Sequence, residues 1–372
     1  MAGLKFGLIG SGFMGKAHAI ALNAVGAVFS EIEPPVCEFL ADRGEQSARS
    51  AASAFGFLRA TSDWRVLISD PHVDVVDICT PNHLHYEMAA AAIAAGKHVY
   101  CEKPLALDST EARSLCEAAE SAGVHTAIGF NYICNPLLAV ARDAIAAGEI
   151  GEVCGLRGWY VEDYMADPAV PYSWRCQRRL AGPGALADLG SHLINLVHYL
   201  LGPIAGVCGS MRTVHAQRRD PATGEFRKVE NEDSAHALMV LASGVTGTLD
   251  ISRIATGHKC GLGIHVFGTR GALSFDQERM NELRLYCAGD PPGRRGFRTI
   301  LTAPEHPDYA AFCPAPGHGL GINDLKIIEL RNLIRGIAAS EPAQPDFREG
   351  LRVQQVMEAI ERSHSQHGWV EV

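Results

Sequence analysis

The sequence predicts an α/β domain followed by an α+β domain, and three observations carry that prediction. An apolar run at residues 4–9 leads into glycines at 10, 12 and 15 and then an alanine-rich stretch, the pattern of strand, tight turn and helix. Apolar strand-like runs and helical stretches then alternate to residue 130, as they do where helices cover a parallel sheet. From residue 131 the pattern changes to short strand-like segments separated by Gly-rich turns, which suggests a large, open and mostly antiparallel sheet.

The first strand and turn carry the clearest chemistry. Gly10 permits a sharp strand-to-helix turn, Gly12 removes a side chain where a pyrophosphate would approach the backbone, and Gly15 lets helix and strand pack closely. The following helix N-terminus offers free N–H groups to phosphates. Residues 1–130 are therefore expected to form a Rossmann dinucleotide-binding domain, and residues 131–372 a substrate-binding and oligomerisation domain.

Bulk properties narrow the class. A chain of 372 residues suggests two domains. With 33 basic and 42 acidic residues, its net charge of −9 argues against nonspecific binding to nucleic acid or anionic membranes. No apolar run approaches the ~20 residues of a membrane span, and the start lacks the pattern of a signal peptide. The 11 cysteines form no C-x-x-C pair, and the 16 histidines lack a metal-ligand pattern. These features lead us to expect a reducing cytoplasm, no disulfide framework and no metal site.

Taken in order, an irregular connection at 29–35 follows the first helix, and residues 36–41 form the second strand. Asp42 at its end suits both hydroxyls of an adenosine ribose, which favours NAD. It lies 27 positions after Gly15, beyond the usual spacing of about 20, and the extra connection accounts for the excess. Arg43 offers the opposite choice, a contact to a 2′-phosphate, and Asp42 as a helix cap or turn residue is a third. Helices are expected at 46–55 and 63–69, and a buried strand at 73–79. Thr80, Pro81, Asn82 and His85 follow it. Ligands on parallel sheets bind beyond strand carboxyl ends, so these residues are candidates for the nicotinamide-ribose side. His83 and His85 read equally well as loop and helix-start residues. After a helix at 87–95 and a strand at 98–101 comes Glu102-Lys103-Pro104. A charged pair at a strand end before proline is unusual, and it aims Lys103 at the cofactor crevice unless the lysine simply lies on the surface. A helix at 109–123 and a strand at 124–130 complete the domain.

In the second half we expect a helix at 136–147, a strand within 150–164, a long loop to 183, and a helix at 184–201. Strand-like segments follow near 206–217, 233–242, 245–255, 262–268, 271–276 and 281–288, then a loop at 303–321 and amphipathic helices at 322–339 and 348–364. Asp188 and His192 are four apart on one helix and so share a face with Asn195. A carboxylate can orient a histidine and stabilise its protonated form. Taken alone, His192 reads more readily as a structural helix histidine.

The motifs G-x-G-x-x-G, T-P-N-x-x-H, E-K-P-L-A (102–106) and G-F-N-Y (129–132) occur in that order. Ser173-Trp174-Arg175 and A-G-P-G-A-L-A-D-L-G-S-H (181–192) follow. Together they resemble the glucose–fructose oxidoreductase/inositol dehydrogenase/MocA family over most of the chain. Pro183 replaces a usual glycine of the last motif, which stiffens that loop. The resemblance implies NAD as cofactor, contacted by Gly10, Gly12, Phe13, Met14, Gly15, Asp42, Arg43, Thr80, Pro81, Asn82, His85, Glu102, Lys103 and Asn131. It implies a polyol or sugar substrate held by Lys103, Trp174, Arg175, Asp188, His192 and His318, the last in a G-H-x-x-G element. Arg175 as a loop salt bridge and His318 as a solvated turn residue are the plainer alternatives. Lys103, Asp188 and His192 form the implied catalytic set, with His192 as general base in alcohol oxidation. Inositols look the nearest substrates, and an aldopyranose of either enantiomer, oxidised at C1, stands beside them. A non-catalytic dinucleotide-binding regulator and an imine or biliverdin-type reductase are the other readings. Relatives of this kind pair their sheets into dimers or tetramers, so a homo-oligomer is expected, and a cis Lys103–Pro104 bond with it.

Overall fold

The computed structural model describes residues 3–372. The chain divides into two compact units, Met1–Cys134 with Gly321–Leu351, and Asn135–Leu320 with Arg352–Val372. In the first unit, strands β1 (Lys5–Ile9), β2 (Val36–Ala41), β3 (Arg59–Thr61), β4 (Val75–Ile78), β5 (His98–Cys101) and β6 (Thr126–Ile128) form one sheet. Its order is β3-β2-β1-β4-β5-β6, and every pairing is parallel. The order reverses between β1 and β4, the topological switch point of a doubly wound sheet. Connecting helices are α1 (Phe13–Val28), α2 (Glu45–Phe55), α3 (Trp64–Ser69), α4 (His85–Ala94) and α5 (Ser109–Ala122). Their ends follow local chemistry. The Asp63 and Asp108 side chains cap α3 and α5, and left-handed Gly56 and Gly123 close α2 and α5.

The sequence-based boundary at 130 falls four residues short of the one observed at Cys134, and the division differs in a larger respect. The helix Ile322–Ala339 packs on α1 within the first unit, so residues 321–351 leave the expected second domain. The reason is electrostatic as well as apolar. Buried Lys326 places its Nζ 2.6 Å from Glu102 Oε1 and 2.8 Å from Glu329 Oε2. The Tyr100 hydroxyl donates to Glu329. His18 of α1 joins the same group through Asp77 (2.8 Å) and Glu102 (2.9 Å). Such a network has to be assembled whole, because one missing partner strands a buried charge.

Burial alone would lower the pKa of His18, but the neighbouring carboxylates of Asp77 and Glu102 hold it up at about 9. A folded pKa above the unfolded 6.5 adds stability that is complete below about pH 6.5 and lost as pH rises through about 9. Urea midpoints are therefore expected to fall between pH 7 and 10, and less steeply in His18→Asn. Equal slopes in the two proteins would contradict a protonated His18.

The second unit begins with α6 (Pro136–Ala146) and β7 (Val153–Val161) and continues through α7 (Arg178–Ala181) and α8 (Ser191–Leu201). Strands β8 (Ile204–Arg212), β9 (Gln217–Arg219), β10 (Phe226–Lys228), β11 (Ser234–Leu241) and β12 (Thr246–Ser252) follow. After them come β13 (Gly261–Gly268), β14 (Gly271–Asp276), β15 (Glu282–Cys287), β16 (Arg298–Leu301) and the C-terminal β17 (Val370–Glu371). Nine of them make an open sheet in the order β16-β15-β14-β13-β7-β12-β11-β8-β17, antiparallel except for β12 with β7, and β9 pairs with β10 separately. One face buries Ala237, Met239, Leu249, Ile251, Ile264 and Phe275. By register, the opposite face carries Leu238, Phe267 and Leu301, all exposed. Among the described residues no helix is long and apolar enough to cross a membrane.

Candidate functional site

In the first unit the expected residues gather at the carboxyl edge of the parallel sheet. Gly10 turns with a φ of +98°, and a Cβ there would meet the Cys79 carbonyl oxygen at 2.6 Å. A Cβ on Gly15 would lie 2.0 Å from the Gly10 oxygen. The protein's own backbone thus demands these two glycines. Gly12 is different, because a Cβ there would have no neighbour within 4 Å. Its missing side chain serves no contact of the chain itself and keeps the approach to the α1 N-terminus open. That N-terminus has no side-chain cap and no acidic residue in its first turn. An unblocked, uncapped helix start next to a bare glycine fits a dinucleotide pyrophosphate. Phe13 stands exposed beside it and Met14 is half-buried.

Asp42 reaches across to this turn, where its carboxylate accepts hydrogen bonds from the Ser11 hydroxyl and, at 2.6 Å, from the Arg43 N–H. It does not cap α2, whose N-cap is Gly44. A carboxylate here offers acceptors to ribose hydroxyls and repels a 2′-phosphate, while the Arg43 residue lies exposed. Hydrogen bonds to charged groups contribute about 1.5–3 kcal/mol, so Asp42→Ala is expected to raise KM for NAD about tenfold or more. The preference for NAD over NADP should shrink with it. A variant with an unchanged cofactor ratio would remove Asp42 from this role.

The loops after β4, β5 and β6 complete the edge. Asn82 begins a short 3-10 turn behind Pro81, and Thr80 lies next to Met88. The amide nitrogen of buried Asn131 has no protein partner, an orphaned donor at the end of the sheet where a ligand acceptor would satisfy it. The Lys103–Pro104 bond is cis, and Lys103 is half-buried.

Two residues of the expected cofactor set face the other way. His85 is fully buried, with its ring nitrogens 2.7 and 2.8 Å from the carbonyl oxygens of Pro104 and Thr80. Desolvation lowers its pKa, so the ring is neutral and donates its single N–H to one of these two carbonyls, with neither ring nitrogen turned to a ligand. Glu102 points into the ionic core, where burial opposes its charge and Lys326 and His18 restore it, holding its pKa well below the usual range. Both residues therefore position their neighbours, as the sequence alone could not reveal.

In the second unit the expected helix at 184–201 is not uniform. Residues Leu186–Gly190 form a π turn, in which the Ser191 N–H reaches the Leu186 carbonyl, and α8 begins only after it. The simple four-residue stacking of Asp188 on His192 is therefore widened. Single π turns recur at functional sites, and Gly190 fits here because a Cβ would crowd Leu186 and Ile251. His192 is buried, with its ring edge-on to Tyr160 at 6.0 Å. Tyr164 donates a hydrogen bond to Asp188 Oδ2 at 2.6 Å. Burial and the Asp188 carboxylate push its pKa well up, so it remains a donor. Tyr164 carried no sequence signal beyond lying in a long aromatic loop.

The exposed Arg175 guanidinium lies 4.5 Å over the Trp174 ring, and its own carbonyl accepts from Asn231. His318 is exposed, and the Tyr309 hydroxyl pins its backbone, accepting from the N–H and donating to the carbonyl.

Residues 4–130 match the model of an oxidoreductase family with an NAD-binding Rossmann fold, and residues 138–274 match the GFO/IDH/MocA C-terminal domain. Levoglucosan dehydrogenase of Pseudarthrobacter phenanthrenivorans is 38% identical, over 100% of this chain and 99% of its own. A solved levoglucosan dehydrogenase in complex with NADH and levoglucosan, also 38% identical with coverage of 100% and 99%, superposes with a TM-score of 0.97. Myo-inositol 2-dehydrogenase of Thermotoga maritima is 26% identical over 93% and 92%.

Proposed function

The chain belongs to the GFO/IDH/MocA family as an NAD-dependent oxidoreductase of sugar or polyol CH–OH groups, and from that premise we propose that it oxidises a secondary hydroxyl of a pyranose of the levoglucosan type. The end-to-end likeness to levoglucosan dehydrogenase carries this reading, and it moves the weight from the cyclitols expected first toward pyranoses. In such an anhydrosugar the internal bridge occupies the anomeric carbon, so oxidation yields a ketone and no lactone.

NAD, when bound, supplies the hydride acceptor. Gly10, Gly12, Gly15 and Asp42 would hold its pyrophosphate and ribose, and Asn131 would donate to an acceptor near the sheet end. Phe13 and Met14 would lie beside the pyrophosphate, and Thr80, Pro81 and Asn82 would serve the nicotinamide ribose. Nδ1 of His192 is buried, so His192 takes the hydroxyl proton at Nε2 as general base. Asp188, steadied by Tyr164, accepts a hydrogen bond from the substrate. Lys103 balances negative charge on the reacting oxygen. Arg175, braced on Trp174, and His318 donate to further hydroxyls, for which a guanidinium fork is well suited.

A panel of levoglucosan, D- and L-glucose, and myo- and scyllo-inositol, each with NAD and NADP, tests the assignment through the nicotinamide absorbance band. We expect levoglucosan with NAD to give the highest kcat/KM. An inositol in first place would restore the cyclitol reading, which the myo-inositol 2-dehydrogenase relative supports. A glucose in first place, with lactone as product, would select aldopyranose oxidation.

Assembly follows from the same sheet. Its exposed Leu238, Phe267 and Leu301 invite a second copy of the face, and we expect a homodimer or tetramer. Light scattering at micromolar concentration should give a mass well above the 39.9 kDa of one chain. Leu238→Lys should lower that mass, and a monomeric parent protein would contradict the proposal.

A further inference from the structure

The helix proposed to carry proton transfer starts without any cap of its own. Residues 181–187 read Ala-Gly-Pro-Gly-Ala-Leu-Ala, with no Ser, Thr, Asp or Asn to meet the first free N–H groups. One residue 48 positions away meets three of them. The Glu232 carboxylate accepts from Gly184 N–H and Leu186 N–H, each at 2.8 Å, and its backbone carbonyl accepts from Ala185 N–H at 3.1 Å. The fit is close, since a Cβ on Gly184 would lie 2.0 Å from that carbonyl oxygen.

Its chain neighbours hold the substrate loop. Asn231 Nδ2 donates to the carbonyls of Arg175 (2.9 Å) and Gly182 (3.3 Å). Arg253 donates from Nη2 to Asn231 Oδ1 (3.0 Å), from Nε to Asp233 Oδ1 (3.0 Å), and from Nη1 to the Arg175 carbonyl (3.4 Å). Asn231, Glu232, Asp233 and Arg253 are all at least 96% buried. Asp233 and Arg253 extend the β11–β12 ladder, the Arg253 N–H meeting the Asp233 carbonyl at 3.0 Å. The whole group is therefore anchored in the rigid sheet.

We propose that Glu232 is a positioning residue for the Asp188–His192 helix, and that Asn231 and Arg253 fix the Arg175 loop to the same frame. This rests on the proposed roles of Asp188, His192 and Arg175. A negative group at a helix start also suits the dipole there. The arrangement makes recognition loop and proton-transfer helix a single piece referenced to β11 and β12, and it assigns them separable kinetic signatures.

Glu232→Gln keeps the shape, leaves one acceptor and turns an NH2 against the other N–H. Amide hydrogen exchange over residues 184–190 of the ligand-free protein should accelerate about tenfold or more, with kcat falling by a similar factor, the scale of one lost hydrogen bond to a charged group. KM for sugar and NAD should stay within about twofold. Asn231→Ala should instead raise the sugar KM more than it lowers kcat. Should Glu232→Gln fail to fold, Glu232→Asp, too short to span both N–H groups, is read the same way. Unchanged exchange over 184–190 would refute the cap. Faster exchange with wild-type kcat per folded molecule would reduce Glu232 to a stability role and overturn the proposal. Loss of catalytic importance for His192 itself, read from its own alanine variant, would strike the functional reading and leave the exchange result standing.

Discussion

His192→Ala is expected to lower kcat by about 10²–10⁴-fold, the usual contribution of a positioned general base. The ring is buried in the second unit, against Tyr160 and just beyond the π turn that bears Asp188. Truncation removes the proton acceptor and leaves the first unit untouched, so NADH binding measured by fluorescence should be retained. Asp188→Ala should fall in the same direction, because Tyr164 loses its acceptor as the substrate does. A His192→Ala enzyme with full turnover would assign the proton transfer to another group and end this mechanism.

The contrast between what could and could not be read in advance is physical. Gly10, Gly12, Gly15, Asp42 and Lys103 announce themselves because turn geometry and strand ends are local properties of the chain. So does the helix with Asp188 and His192. Other features rest on contacts between distant segments. The π turn depends on an N–H reaching five residues back, for which the sequence offers only small residues. His85 and Glu102 look like crevice residues until Thr80, Pro104 and Lys326 turn them inward. Lys326 itself reads as an ordinary charge in an amphipathic helix, and Glu232 as an ordinary charge before a strand.

Lys326 carries the second large effect. In Lys326→Met the carboxylates of Glu102 and Glu329 lose their shared cation inside the protein, where water cannot replace it. Breaking one side of such a buried network costs about 3–5 kcal/mol, a large share of the stability of an ordinary domain. Urea unfolding should show this as a lower midpoint with little change in slope. The double variant Glu102→Gln/Lys326→Met should recover part of the loss, because one buried carboxylate, Glu329, then stands without its cation where the single variant leaves two. A Lys326→Met protein as stable as its parent would mean that these groups are not ionised.

The first unit is built from two stretches of chain that the whole of Asn135–Leu320 separates. On the ribosome that order becomes a delay. When residue 134 emerges, His18, Asp77, Tyr100 and Glu102 are present, but Lys326 is still about 190 codons away, about 10–40 s at about 5–20 residues per second. Throughout that interval Glu102 has His18 but lacks Lys326, and the apolar side of α1 lacks the helix that covers it. The second unit, apart from its final segment, is synthesised while the first waits open. Completion of the nucleotide-binding half thus waits until the whole of Asn135–Leu320 has been made, and a chain released before Lys326 is added carries an unfinished core.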